Sequence, residues 1–458
     1  KYLCFKSHAQ FLANSCDELV APNPQRNMFR CTWLMMLKFA YVLSCVVFEG
    51  QGWRVQSSLH AKWQQPQRSR RLLMEAGQLD VEAFVRSAVP DCTSVSMENE
   101  QVMGFSGARV AELSLQTSTG PRNLFLKVVA PPADAEDTPK MRRNLQSYEN
   151  EFSFLSDARF AQALEEHGAP IPKTLKAEGL PERGYAVLQE SLTAESTLLS
   201  VHPAARTPEV LRWLAAFHSA FFGSLPADFG QWECGAHVHL FNRAAAESEL
   251  LALPGNVEQF CQAFSEEHPF FGRPELSQLG SRLQAVAKDL AEHLWPGKHN
   301  ANHITLVHGD FKGANYFLKK EGKGVVGFDW QWTGPGIGAT DLIFMFCTGV
   351  EDTVVDDYMS ALRTYHEALA LDGKQYTFDE FLTDFKVATL DYARWAFSVR
   401  LGGDTPAKFR KRAENVDVNL GYFRRHPPRV QWLLQLVLEF LPEAESGKLF
   451  FRREDDGG

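Results

Sequence analysis

Apolar positions change their period along the chain, and those changes divide it. Glu100 to Val129 reads as three short strands. The first ends at Met103, and the turn after it carries Gly104 and Gly107. From Val110 to Gln116, Leu113 and Leu115 fall on one face and Glu112, Ser114 and Gln116 on the other, the two-residue period of a half-buried strand. Gly120-Pro121 reverses the chain into Leu124 to Val129, an apolar run interrupted only by Lys127. The period then lengthens: Met141, Leu145, Tyr148, Phe152 and Leu155 recur at helical spacing. Glu149 and Glu151 flank that stripe on either side, so periodicity does not choose between them. Ala169 to Pro172 leads to a strand from Tyr185 to Leu188, and from residue 193 onward the pattern is mostly helical. Thr207-Pro208-Glu209 has the hydroxyl cap, first-turn proline and acid of a helix start, and the helix runs from Val210 to Phe222. Leu276 to Leu294 makes another helix. Phe385 to Phe397 makes an aromatic one, containing Asp391, Tyr392, Arg394 and Trp395.

Upstream of these elements the pattern differs. Residues 1–27 show no period, whereas Thr32 to Val47 is apolar apart from Lys38. That run is short for a membrane span, which needs about 20 apolar residues. It fits the core of a signal or targeting segment at residues 28–48, with an untranslated leader or a buried helix as equal alternatives. Membrane association would follow only if residues 32–47 were retained as an anchor. Residues 51–70 look like a linker, and a folded unit begins near Arg71, where Leu72, Leu73, Leu79, Val81 and Phe84 form an amphipathic lead-in. The expected division is an extension over 1–70, a first lobe over 71–190 and a helical part over 191–458. The tail, Gly447 to Gly458, is expected to fray.

The densest chemistry lies in residues 306–341, LVHGDFKGANYFLKKEGKGVVGFDWQWTGPGIGATD. Leu306 and Val307 lead into His308-Gly309-Asp310. Asn315 opens the apolar run Tyr316 to Leu318, a polar turn from Lys319 to Gly324 follows, and Val325 to Phe328 delivers Asp329. Two apolar runs around a Gly-bearing polar segment predict a β-hairpin. Asn315 and Asp329 are equally far from Gly322, so in-register pairing would place them side by side. An amide oxygen and a carboxylate there are hard ligands of the kind Mg2+ accepts beside phosphate oxygens. Asp310 can face the same point as a base.

This segment resembles the catalytic segment of the protein-kinase-like superfamily, in its aminoglycoside phosphotransferase, choline kinase and ecdysteroid-kinase-like branch. Those enzymes carry H-G-D-x-x-x-x-N, a hairpin and then an Asp, matched here by His308, Gly309, Asp310, Asn315 and Asp329. The resemblance implies an α+β, bilobal fold with a small antiparallel sheet and a larger, mostly helical lobe. It also implies ATP and Mg2+ as cofactors, Asp310 as the catalytic residue, and Asn315 and Asp329 as metal ligands. Lys127 matches the strand lysine on the α- and β-phosphates, and Gly104 to Gly107 the loop over the nucleotide. Glu151-Phe152-x-Phe154-Leu155 resembles the motif that supplies the lysine's glutamate partner, and Glu190, in Gln189 to Leu192, lies in the counterpart of the hinge that meets adenine. Asp341 has a family counterpart too, but capping of the helix Leu342 to Phe346 explains it equally, and it is taken as structural. Trp332, Tyr392 and Trp395 are candidates for the acceptor pocket, as aromatic walls for a quaternary ammonium group. The acidic residues Glu351, Asp352, Asp356 and Asp357 offer a rim for a polycation. His218, a lone histidine on an apolar helix face, is taken as a core residue. Phe311-Lys312-Gly313-Ala314 lacks the second histidine of many antibiotic kinases and looks closer to the ecdysteroid-kinase-like members. The expected activity is phosphoryl transfer to a hydroxyl of a choline-, sugar- or steroid-like small molecule. The alternatives are a nucleotide-binding pseudokinase and, further off, a protein kinase, which the missing D-F-G and A-P-E disfavour.

Composition adds exclusions. A net charge of -9 argues against a nucleic-acid partner, which needs a basic face. The eight cysteines form no C-x-x-C pair and fit reduced thiols in the cytoplasm. Cys234, His237 and His239 lie close together, but no second ligand pair follows at zinc spacing, and ordinary histidines are the better reading. No Walker A motif is present.

Overall fold

The computed structural model describes residues 79–102, 108–131, 138–226, 230–322, 324–371, 373–414 and 421–450. The expectations for residues 28–48, for Leu72 and Leu73, for Gly104 and Gly107 and for the end of the tail lie outside these. The first described helix, α1 (Val81–Ala88), begins at Asp80, whose carboxylate accepts from Ala83 N at 3.0 Å. Strands β1 (Cys92–Val102), β2 (Arg109–Thr117) and β3 (Gly120–Val129) follow; β1 and β3 begin earlier than expected, and β2 is one residue longer at each end. Next come α2 (Pro139–Ser156), α3 (Ala158–Glu166), β4 (Thr174–Leu180) and β5 (Gly184–Glu190). The five strands form one antiparallel sheet in the order β1-β2-β3-β5-β4.

Strand alternation sorts this sheet into two faces. Leu113, Leu115, Leu124, Leu126, Val128, Ala186 and Leu188 point one way and pack under Val81, Phe84 and Val85 of α1. The residues between them point the other way, and Lys127 is one of these. This explains how a lysine sits within an apolar strand.

After the short strand β6 (Ser196–Leu198) the chain is helical around one large core. It contains α4 (Thr207–Ser219), α5 (Ala246–Phe264), α6 (Leu279–Leu294), β7 (Ile304–Val307), and the hairpin β8 (Tyr316–Lys319) and β9 (Val325–Gly327). Then come β10 (Gly334–Ile337), α7 (Ala339–Thr348), α8 (Asp352–Asp356), α9 (Tyr358–Ala368), α10 (Phe378–Trp395), α11 (Pro406–Ala413) and α12 (Pro427–Glu445). Helix α10, capped reciprocally by Thr377 and Glu380, packs against α6, α7 and α12. The architecture is the expected α+β, bilobal one. Helix α5, absent from the expectations, shows why: its buried residues Leu253, Val257, Phe260, Cys261 and Phe264 are interrupted by Pro254 and Gly255. No described helix is long and apolar enough to cross a membrane.

Thr207 does not cap α4. The cap position is Arg206, and the Thr207 hydroxyl instead meets buried His202 Nε2 at 3.0 Å. The other ring nitrogen shares a 2.5 Å hydrogen bond with the Tyr316 hydroxyl. Burial, with a smaller push from Arg206, lowers the His202 pKa to about 3. Unfolding returns it to the ordinary value near 6.5. The unfolded chain therefore binds a proton that the folded chain refuses, so this residue's contribution is complete above pH 6.5 and is lost as pH falls toward 3. The loss is up to about 1.4 kcal/mol per pH unit. His202→Gln is expected to make the acid arm of stability shallower by up to one proton, measured by urea denaturation between pH 4 and pH 7. An unchanged slope contradicts the assignment.

Candidate active site

Lys127 Nζ lies 2.6 Å from Glu151 Oε2 and 3.8 Å from Asp329 Oδ1. Burial pulls the lysine pKa down, but Glu151 and Asp329 more than offset it, and the net shift is upward. The ammonium is therefore kept charged. Glu151 also accepts from the Tyr185 hydroxyl on β5. The choice that periodicity left open is settled by packing: Glu149 turns outward and pairs with Arg183. One residue before Glu151, buried Asn150 joins α2 to the segment after Asp329. Its amide donates to Trp330 O at 3.1 Å and Thr333 O at 2.8 Å, and its oxygen accepts from Gln231 N at 3.0 Å.

The His308-Gly309-Asp310 loop leaves β7 and is held from below. The Asp341 carboxylate accepts from His308 N at 2.6 Å and Gly309 N at 2.9 Å. It also meets His218 Nε2 at 3.2 Å, while His218 Nδ1 meets the Tyr365 hydroxyl at 2.6 Å. Asp341 is thus structural, but not as a helix cap: Gly338 occupies the cap position of α7, and the carboxylate is spent on the loop. Gly309 adopts φ +78°, and a Cβ there would collide with the Trp332 carbonyl. Only glycine fits without displacing that backbone.

Asp310 emerges beside cations and an amide. Its Oδ2 accepts from Lys312 Nζ at 2.7 Å and Asn315 Nδ2 at 3.0 Å, and its carbonyl accepts from the same amide at 2.8 Å. Burial would raise its pKa, but Lys312 and His237 reverse the shift, so the carboxyl lies below its usual range and is ionised at neutral pH. His237 Nδ1 is 4.0 Å from Asp310 Oδ1, and burial pushes that imidazole down to about 3. It is neutral. His239 instead meets the Ala291 carbonyl at 3.0 Å.

The hairpin forms, but its register differs by one residue from the expected one. Tyr316 pairs with Gly327, and Phe328 N donates to Asn315 O at 3.0 Å, which makes Phe328 the partner of Asn315. The tip is a four-residue loop closed by Lys319 N and Gly324 O, so its midpoint falls before Gly322. Asp329 lies one step beyond and reaches the site by a turn of its own backbone, at φ +72°. Such a conformation in a non-glycine residue persists only where the surroundings impose it. Here Trp330 does so: its ring is buried against Phe154, His308 and Phe217, with centroids at 4.5, 4.8 and 5.4 Å. Asp329 Oδ1 is buried without a hydrogen-bond partner, and burial raises its pKa.

Lys127, Glu151, Asp310 and Asp329 line one open cleft of about 1270 Å3, whose wall also includes Gln189 to Leu192. Glu190 points its side chain toward Arg122, 3.6 Å away. Trp332 and Trp395 line the cleft as well. Tyr392 does not: it is buried behind them, against Phe344, Trp395 and Phe423. None of the expected acidic rim lines the cleft: Asp352 is bound by Arg429 and His426 at 2.7 and 2.6 Å, Glu351 accepts from Ala204 N at 2.8 Å, and Asp356 and Asp357 also lie outside its wall. Sequence reasoning gave no role to Lys312, Tyr185, Asn150 or His237. Lys312 had a signal, a cation two residues after Asp310. The others carry none, since each matters through a partner distant in sequence. Asp341→Ala leaves two buried N–H groups unpaired and is expected to cost about 2–5 kcal/mol. A urea midpoint within about 0.5 kcal/mol of wild type contradicts this.

The sequence matches the model of a phosphotransferase enzyme family over residues 109–371. No curated protein matches it. Among solved structures it is similar to a microcompartment-associated aminopropanol kinase at 13% identity, covering 81% of this chain and 99% of that one, with a TM-score of 0.41. A choline kinase of Streptococcus pneumoniae is 10% identical over 78% of this chain and 99% of that one, with a TM-score of 0.37. A macrolide 2'-phosphotransferase of Brachybacterium faecium is 17% identical over 69% and 92%, with a TM-score of 0.34. The family match spans more than half of the chain and includes Lys127, Glu151, Asp310, Asn315 and Asp329: the chain belongs to the phosphotransferase enzyme family.

Proposed function

We propose that the protein transfers the γ-phosphate of ATP, with Mg2+, to a hydroxyl of a small molecule. The observation that carries this reading is the meeting, in one cleft, of an ionised Asp310, a charged Lys127 and an Asp329 Oδ1 that has no hydrogen-bond partner. A buried oxygen without a hydrogen-bond partner costs stability unless a ligand satisfies it, and carboxylate and amide oxygens suit a hard divalent cation. Asn315 and Asp329 would hold Mg2+, which when bound neutralises charge on the phosphate oxygens.

The chain's own groups supply the rest. Lys127, fixed by Glu151, neutralises charge on the α- and β-phosphates. Asp310 orients the acceptor hydroxyl and takes its proton while the hydroxyl oxygen bonds to the γ-phosphorus. The bond from that phosphorus to the bridging oxygen breaks, and ADP leaves with the electron pair. Positioning and electrostatic stabilisation carry such transfers, since little covalent chemistry falls to the protein. Lys312, held by Asp310, sits where it can balance charge on the moving group.

Mg2+-dependent ATP consumption by the full chain, with hydroxylated acceptors, tests this. Asp310→Asn is expected to lower turnover by about 100-fold or more while Mg2+-ATP affinity stays within a few-fold of wild type. Asp329→Ala is expected to lose Mg2+-dependent ATP binding as well. Near-normal turnover in either variant overturns the assignment.

A further inference from the structure

Beyond Asp310, four arginines from four parts of the chain line the same cleft. Arg143 comes from α2, Arg243 from the turn after Leu240–Asn242, Arg400 from the π-helical turn Ala396–Leu401 that prolongs α10, and Arg424 from the turn Tyr422–Arg424. Only Arg243 has a carboxylate partner among the described residues, Glu249 at 2.8 Å. Arg143 donates to the His237 carbonyl at 2.9 Å. The Nε atoms of Arg143 and Arg424 are buried without a hydrogen-bond partner. Lys312 is engaged by Asp310, and His237 is neutral. Among the described residues, these five cations face Asp310 and Glu249; Asp404, which also acts on Arg424, is held by Arg412, and Asp329 acts on Lys312.

Such a cluster opposes its own assembly. Burial, and then the charges of Arg243 and Arg400, lower the Arg143 pKa to about 10. Burial and neighbouring arginines also lower those of Arg400 and Arg424. Uncompensated, partly desolvated like charges are costly, and an anionic ligand relieves them. Asp310 is the charged group acting most strongly on Arg400, so the cluster borders the base. The aromatic faces that a quaternary ammonium group would use are already covered: the guanidinium of Arg143 lies 4.3 Å over Trp332, and that of Arg400 lies 5.3 Å over Trp395. Arg400 sits on a widened turn, a feature frequent at functional sites, and Asn256 Nδ2 donates to Phe397 O within that turn at 3.0 Å. Arg400 and Arg424 both lie outside the span matched by the family model.

We propose that the acceptor is an anion, a small hydroxylated molecule that carries a phosphate monoester or a carboxylate. Arg143, Arg400 and Arg424 grip the charged group by the forked geometry that suits both oxyanions, and the hydroxyl is left facing Asp310. This rests on the kinase reading for the role of the hydroxyl, whereas anion binding itself needs no nucleotide.

The test is titration calorimetry on the full chain without nucleotide, with inorganic phosphate and D-glycerate as probes and choline as the cationic control. At least one anion is expected to bind, and which one binds more tightly identifies the preferred oxyanion. Its affinity is expected to fall about tenfold or more in Arg400→Gln and in Arg424→Gln, less in Arg400→Lys, and to stay within about twofold in Arg282→Gln, which removes an arginine outside the cleft, paired with Glu445. Melting temperatures report whether each variant is folded, and Arg400→Lys carries the comparison if a glutamine variant is not. Absence of binding by both anions, choline binding as tight as either, or a loss that follows Arg282→Gln and not the cleft arginine variants overturns the proposal. Failure of ATP transfer alone would count against the kinase reading and leave this titration standing.

Discussion

A buried ammonium needs carboxylates, and Lys127 takes one from each side of the cleft. Glu151 comes from α2, and Asp329 comes from the hairpin of the helical lobe. Burial pulls its pKa down and the two carboxylates more than offset that, so both support its charge. The two elements are also joined mechanically, because Asn150 on α2 holds the backbone of Trp330 and Thr333. The same few residues thus set the charge at this end of the cleft and the relation of α2 to the hairpin.

A second layer fixes the loop that presents Asp310. Asp341 spends its carboxylate on the N–H groups of His308 and Gly309, and His218 with Tyr365 steadies Asp341 in turn. Trp330, packed under His308 and against α2 and α4, ties the Asp329 turn to that loop. The positive φ of Asp329, costly for a non-glycine residue in isolation, is held by these contacts. The groups facing the cleft are therefore positioned before any ligand arrives, as electrostatic stabilisation of a transferring group requires.

Much of this was legible in the sequence, for a physical reason. Asp310, Asn315 and Asp329 lie within one short segment, where spacing and turn chemistry restrict geometry. The continuous apolar run Leu124 to Val129 likewise marked Lys127 as its odd member. Where geometry depended on finer backbone detail, the reading failed. The hairpin register shifted by one residue because the tip is a four-residue loop rather than one centred on Gly322, and Thr207 yielded its cap role to a contact with His202. Tyr392 and Trp395 occupy neighbouring positions of one helix, and periodicity could not tell which ring faces the cleft. The arginines were beyond reach altogether, since residues 143, 243, 400 and 424 become neighbours only in the folded chain.

Phosphorus-31 NMR of the full chain with Mg2+-ATP and a mixture of neutral, cationic and anionic hydroxylated acceptors tests the central claim most directly. The account predicts that the γ-phosphate signal of ATP disappears as ADP and a new phosphate-ester signal grow in equal amounts. Persistent, intact ATP bound to the protein, or release of inorganic phosphate alone with every acceptor, would contradict it.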